Sequence, residues 1–161
     1  MARRKLSIDI QIEHKDWKKA WPALKTDIRA IVDAAVAHDG VATSPILGAL
    51  GIVLGDDVRL QSLNALFRGK DKPTNVLSFP DPDLPPGGIA VSCETVAREA
   101  KAQDKNFINH AKHMILHGFL HLLGHDHIKA RDARLMEGLE IAILGEMGIP
   151  NPYHSKVKSR V

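Results

Sequence analysis

Leu6, Ile8, Ile10 and Ile12 alternate with polar residues, the two-residue period of a strand with one buried face. From Trp21 onward the period lengthens. Leu24, Ile28, Ile31, Val32, Ala35 and Val36 recur at helical spacing, and Asp39 and Gly40 end that segment. Ile46–Leu54 is apolar enough for a second strand. Asp56 or Asp57 can cap a helix through Leu60, Leu63 and Leu66 to Phe67, with Gly69 as its break. Asn75–Phe79 is a short apolar run stopped by Pro80. Pro80 to Gly88 holds four prolines and two glycines and predicts a loop, and Gly88–Ser92 predicts a further strand. Helical spacing returns over Glu94–Gln103, Phe107–Leu123 and Arg131–Met147, the last closed by Gly148 and Pro150. Strands mixed with helices, then helices alone, predict an α+β domain with helices packed on one sheet.

Length and composition narrow the class. The 161 residues fit a single domain spanning 1–161. The apolar share of 44% and charged share of 25% are those of a soluble globular protein. No run approaches the ~20 apolar residues needed to span a bilayer, so no membrane segment is expected. The start, MARRKLSIDIQIEHKDW, is basic but passes at once into alternating residues, so no secretory leader is expected. One cysteine, Cys93, cannot form an internal disulfide, which fits a reducing cytoplasm. The net charge of +3 gathers partly at Arg3, Arg4 and Lys5 and at Lys156, Lys158 and Arg160. Such termini attract a phosphate-rich partner but equally serve solubility, and charge alone does not choose.

Residues 110–127 read HAKHMILHGFLHLLGHDH and contain six of the nine histidines. His117 and His121 are four apart, so a helix projects both from one face about one turn, or ~6 Å, apart. Gly124 can take the left-handed conformation that ends a helix, letting the chain swing His127 back toward the pair. Three imidazoles leave a fourth tetrahedral position for water, the arrangement of catalytic zinc. Zinc-bound water ionises near pH ~7 instead of ~15.7, so the pattern predicts a hydrolytic site. His113 and His110 lie on the same stripe as rival ligands. The missing turn assigns His113 to a supporting position behind the ligands and His110 to solvent. Asp126 is placed to orient a ligating ring or to sit exposed in a loop, and His125 is expected to be exposed.

The spacing also matches that of the metzincin peptidases. Those enzymes carry Glu directly after the first His as general base, where this chain has Gly118. Glu137 and Glu140 on the next helix are the available substitutes, and both are expected to face water.

HGFLHLLGHDH, from His117 to His127, resembles the signature of the YbeY endoribonucleases, also called rRNA maturation factors. LNALFRGKDKPTNVLSFP, Leu63 to Pro80, resembles that family's second signature, and ETVAREA (Glu94–Ala100) and MGIPNPY (Met147–Tyr153) extend the likeness. It covers about Asp56 to Tyr153. The resemblance implies an α+β fold with a central, mostly parallel four-stranded sheet. It implies His117, His121 and His127 as metal ligands, Arg68 as the catalytic arginine, and metal-dependent cleavage of single-stranded RNA. The process implied is maturation of 16S rRNA, particularly its 3′ end, and ribosome quality control, so a ribosome or its small subunit is the expected partner. One departure stands out: the family's usual acidic residue in a GDI-like step is absent from Gly87, Gly88, Ile89.

The arginine makes chemical sense, because phosphodiester cleavage builds negative charge that a guanidinium can pair with two-fold. Lys70 and Lys72 are candidates for backbone phosphates, and Asn75 and Ser78 for the cleft wall. Zinc is the expected cofactor, although three imidazoles also suit nickel, copper or iron. Two rival readings follow from the same residues: a metallopeptidase, and a ribosome-assembly protein that binds RNA and uses its metal only for structure.

Overall fold

The protein's computed structural model describes residues 6–41, 48–125 and 129–153. Strand β1 (Ser7–Ile12) pairs in parallel with β2 (Ala49–Gly55), setting Ile8 opposite Leu50 and Ile10 opposite Ile52. β2 pairs in parallel with β4 (Pro86–Ser92), and β3 (Val76–Pro80) joins the far edge of β4 antiparallel, with Ser78 opposite Ile89. The order β1-β2-β4-β3 makes a four-stranded, mostly parallel sheet in an α+β fold, as the resemblance implies. Six helices accompany it among the described residues: α1 (Asp16–Ala20), α2 (Leu24–Ala37), α3 (Asp57–Arg68), α4 (Cys93–Ala102), α5 (Phe107–Leu122) and α6 (Ala130–Glu146).

Boundaries shift for local reasons. The helix expected from Trp21 begins at Leu24, because Pro22 disfavours helical backbone at the residue before it and Trp21 takes φ −141°. Trp21 is nevertheless buried, as is Trp17 on α1, whose indole N–H donates to the Gly55 carbonyl at 2.9 Å. The periodicity did not reveal α1, which is one short turn around a single buried aromatic. β4 starts at Pro86, inside the expected loop; a proline is tolerated at the first residue of a strand. Ile46, the expected start of the second strand, lies outside the described residues.

Alternation divides the sheet's side chains between two clusters. Leu50, Ile52, Leu54, Ile89 and Val91 join the main core with residues of α2 and α5, while Leu77 and Ala90 pack with Leu60 of α3. α5 contacts β3, β4, α2, α4 and α6, so most of its surface is covered. At Gly118 it lies close against the sheet. A Cβ there would lie 3.0 Å from Ile89 Cγ2 and 3.2 Å from both Ser78 Oγ and Val76 Cγ2. The glycine also leaves its carbonyl within reach of Ser78, whose hydroxyl donates to it at 2.9 Å. None of the described helices is long and apolar enough to cross a membrane.

Gly118→Ala should destabilise the fold by about 1–3 kcal/mol in urea unfolding, the typical effect of overpacking, and a neutral result would mean the helix can move away. Asp57 joins α3 to α4: its Oδ1 accepts from Ser92 Oγ and Thr95 Oγ1 at 2.6 Å each, and Oδ2 faces Arg98 at 2.9 Å. Burial alone would raise its carboxyl, but those hydroxyls and the guanidinium outweigh burial and hold it below the ordinary carboxylate range. A depressed carboxylate stabilises above its unfolded value and loses that contribution as pH falls through the folded one. Asp57→Asn should therefore lose ~1.5–3 kcal/mol at neutral pH, with the gap to wild type closing as pH drops below ~4. Paired urea titrations across pH measure this, and a pH-independent gap would contradict it.

Candidate metal centre and cleft

α5 is started by Asn106, whose side chain accepts from Asn109 N, and it carries His110, His113, His117 and His121 at helical steps. Successive ring centroids lie 6.2, 6.2 and 4.7 Å apart, so His117 and His121 form the closest pair. The helix ends as the spacing predicts. Gly124 takes φ +95°, His125 N donates to Leu120 O, and Gly124 N donates to His121 O, each at 3.0 Å. This is a Schellman turn, which satisfies the last carbonyls and ends the helix at Gly124 and His125. His127 and Asp126 lie outside the described residues.

His117 and His121 line a cleft of about 1080 Å³ together with Arg68, Lys70 and Lys72. Those cations arrive because Gly69, in the left-handed region at φ +67°, ends α3 and turns the chain. Asn64, nearly fully buried, fixes that turn: its carbonyl accepts from Lys70 N, and its side-chain amide donates to the Lys72 carbonyl at 2.9 Å. Asn75 and Ser78 line the same cleft, but with polar atoms engaged inside the protein. Asn75 Nδ2 donates to Glu99 and its Oδ1 accepts from Val76 N, while Ser78 Oγ holds α5.

Behind the histidines sits a residue expected at the surface. Glu140 is fully buried on α6, and its Oε2 lies 2.9 Å from both His113 Nε2 and His117 Nδ1. Oε1 accepts from the Tyr153 hydroxyl at 2.5 Å. Burial alone would raise the Glu140 carboxyl, but hydrogen bonds from the two imidazoles and the phenol hold it at about 2. Burial, and then contact with that carboxylate, push the Tyr153 hydroxyl upward. An ionised carboxylate only accepts, so His117 donates from Nδ1, which in a neutral imidazole leaves Nε2 with the lone pair that a metal requires. Glu140 is buried because it shares the inward stripe of α6 with Met136, Ile143 and Leu144. That spacing was present in the sequence, and a charge set within an apolar stripe was the signal passed over.

Two other expectations change. His110 does not face solvent: it is 4% exposed beneath α4, with Nε2 2.9 Å from Glu99 Oε1, and burial lowers its basicity despite that carboxylate. His125 is half-buried at the cleft rather than exposed, and burial lowers its basicity too. His113 Nδ1 and His110 Nδ1 are buried and have no hydrogen-bond partner among the described residues. Gly88, where the family's acidic residue is missing, lines a second cavity of about 440 Å³ with Phe79 and Gly51, not the histidine cleft.

His113, His117 and Glu140 together could hold a metal ion, since one ligand atom from each lies within 4.8 Å of the others. This set and the sequence-derived set of His117, His121 and His127 share only His117. The donor pattern bears on the choice: Glu140 already accepts from three groups, and a cation there would displace imidazole protons. A carboxylate bonded to the back of an imidazole is instead the usual support of a ligating histidine, so the residues fit a metal.

The chain matches the family described as Endoribonuclease YbeY over residues 9–148. A protein named Endoribonuclease YbeY from Chelativorans sp. is 47% identical over 142 residues, covering 83% of this chain and 86% of its own length. Its namesake from Rhodopseudomonas palustris is 44% identical over 154 residues, covering 90% and 80%. The solution structure of TM1509 from Thermotoga maritima superposes with a TM-score of 0.55 at 26% identity, over 87% of this chain and 91% of that one. This chain belongs to the endoribonuclease YbeY family.

Proposed function

We propose that the protein is a metal-dependent endoribonuclease that cuts single-stranded RNA. Its place is in maturation of the 3′ end of 16S rRNA and in ribosome quality control, acting in the cytoplasm on the ribosome or its small subunit. The observation that carries this reading is the joining, in one cleft, of the His117–His121 pair with Arg68, Lys70 and Lys72. Paired imidazoles suit a divalent ion, cations suit a polyanionic strand, and the relatives' name specifies RNA as the class of polyanion.

In this reading His117, His121 and His127 hold zinc. When bound, the ion supplies Lewis acidity to the phosphate and to a water. Arg68 pairs with the phosphate oxygens on which negative charge grows during cleavage. Lys70 and Lys72 hold flanking phosphates, which sets the strand's register without reading its bases. Asn75 and Ser78 shape the wall, and His113 and Asp126 stand behind the ligands. The peptidase alternative is disfavoured by the packing at Gly118, since a glutamate there would meet Ile89 and Val76 of the sheet.

His121→Ala should lose both bound zinc and cleavage of a single-stranded RNA, with casein untouched by either protein. Arg68→Ala should keep its zinc and fold but lower kcat by about 100- to 1,000-fold. Full-rate cleavage by metal-stripped wild type, or casein hydrolysis, would overturn the reading. Lys70→Ala and Lys72→Ala should each reduce the slope of log affinity against log salt by ~0.7, as one fewer phosphate contact requires on a single strand. Filter-binding titrations at several salt concentrations read this, and an unchanged slope would remove the lysine from the interface.

A further inference from the structure

We propose that Glu140, steadied by Tyr153, is the positioning residue of the metal centre: it fixes the His117 ring with Nε2 toward the cleft and does not itself take the ion. The inference rests on the metal-dependent reading above.

Three observations lead to it. The Glu140 carboxylate is fully buried, yet it does not line the cleft that His117 and His121 line. Both its oxygens are engaged, Oε2 by His113 and His117 and Oε1 by Tyr153. An imidazole that donates from Nδ1 keeps its lone pair on Nε2, so carboxylate and metal address different nitrogens of the same ring. His113 completes the bracket, because its Nε2 is also 3.3 Å from the Tyr153 hydroxyl and its ring stands edge-on to the tyrosine at 5.4 Å.

Tyr153 is delivered by a built turn. Beyond α6 the chain bends at Gly148, Ile149 is buried, and Lys105 Nζ donates to the Pro152 carbonyl at 2.6 Å. The Tyr153 backbone N–H then donates to Asn151 Oδ1 at 2.8 Å. The segment MGIPNPY, which the histidine chemistry leaves unexplained, thereby gains a role in the centre, since it holds the carboxylate that holds His117.

The test uses the full chain, zinc as probe, and the variants Tyr153→Phe and Glu140→Gln. Zinc affinity is read by competition with a chromophoric chelator, the His117 tautomer by nitrogen NMR of metal-free protein, and folding by urea unfolding of the metal-free form. Wild type should show His117 protonated on Nδ1. Zinc affinity should fall about 10- to 100-fold in Glu140→Gln, and by a smaller factor in Tyr153→Phe, while the KM for RNA stays within about twofold. The tautomer should become mixed in Glu140→Gln. Should that variant fail to fold, Tyr153→Phe decides, because it removes one donor and leaves the Glu140 carboxylate its bonds to His113 and His117. Unchanged zinc affinity in the folded variants overturns the proposal. So does tighter zinc binding by Tyr153→Phe, the result expected if the phenol competed with a metal for a ligating carboxylate. Wild type that binds no zinc overturns both this inference and the metal reading. Wild type that binds zinc with these variant effects but leaves RNA intact overturns the nuclease activity alone.

Discussion

The closeness of α5 to the sheet at Gly118 is the constraint on which the site depends. With no side chain at that position, the helix backbone sits against Ile89 and Val76, and Ser78 closes the contact with a hydrogen bond to its carbonyl. A helix pressed onto β3 and β4 and packed by α2, α4 and α6 leaves part of its histidine stripe beside β3, where the cleft forms. Helical geometry then fixes what the cleft contains. Steps of three and four residues bring His113, His117 and His121 along one line, the first buried and the other two partly open to the cleft.

Burying a carboxylate beneath such a line is tolerable only because every acceptor position in use has a donor. Removing one partner from a buried pair typically costs ~3–5 kcal/mol, since it strands the remaining charge. Glu140 therefore ties three elements together: two imidazoles from α5 and one phenol from the C-terminal turn meet the carboxylate from α6. The same logic recurs at Asp57, where two hydroxyls and a guanidinium join α3 to α4. At the first site the network aims a ring, and at the second it fixes the helix that ends at Arg68.

Periodicity revealed most of the fold because its causes are local. Leu6 to Ile12 alternates, the helices repeat every three or four residues, and Gly69 and Gly124 punctuate them where a left-handed residue is needed. Sheet order was not visible in periodicity, and the resemblance implied only a mostly parallel four-stranded sheet, since pairing β2 with β4 rather than β3 depends on contacts distant in sequence. The site divided the same way. The spacing of His117 and His121 is a property of one helix and was legible. Neither the burial of His110 against Glu99 nor the convergence of Tyr153 on Glu140 is, because each joins separate elements. Glu140 is the intermediate case: its place among Met136, Ile143 and Leu144 marked it as inward-facing, but its partners could only be seen once α5 and α6 were packed.

Gly118 also bears on the role proposed for Arg68. In a metallopeptidase pattern the residue after the first histidine is the glutamate that handles the water's proton. Here the position faces the sheet, where Ile89, Ser78 and Val76 crowd any added side chain. The nearest fixed carboxylate, Glu140, is already committed to three donors and held at about 2, far too weak a base to take a proton near neutrality. In the proposed reading the centre gains its rate by stabilising charge on the substrate, not from Glu140 as a base. Arg68, carried by a different element, lines the same cleft and is the residue proposed for that role. A phosphodiester, which is already anionic and becomes more so on attack, suits such a centre better than a neutral peptide bond.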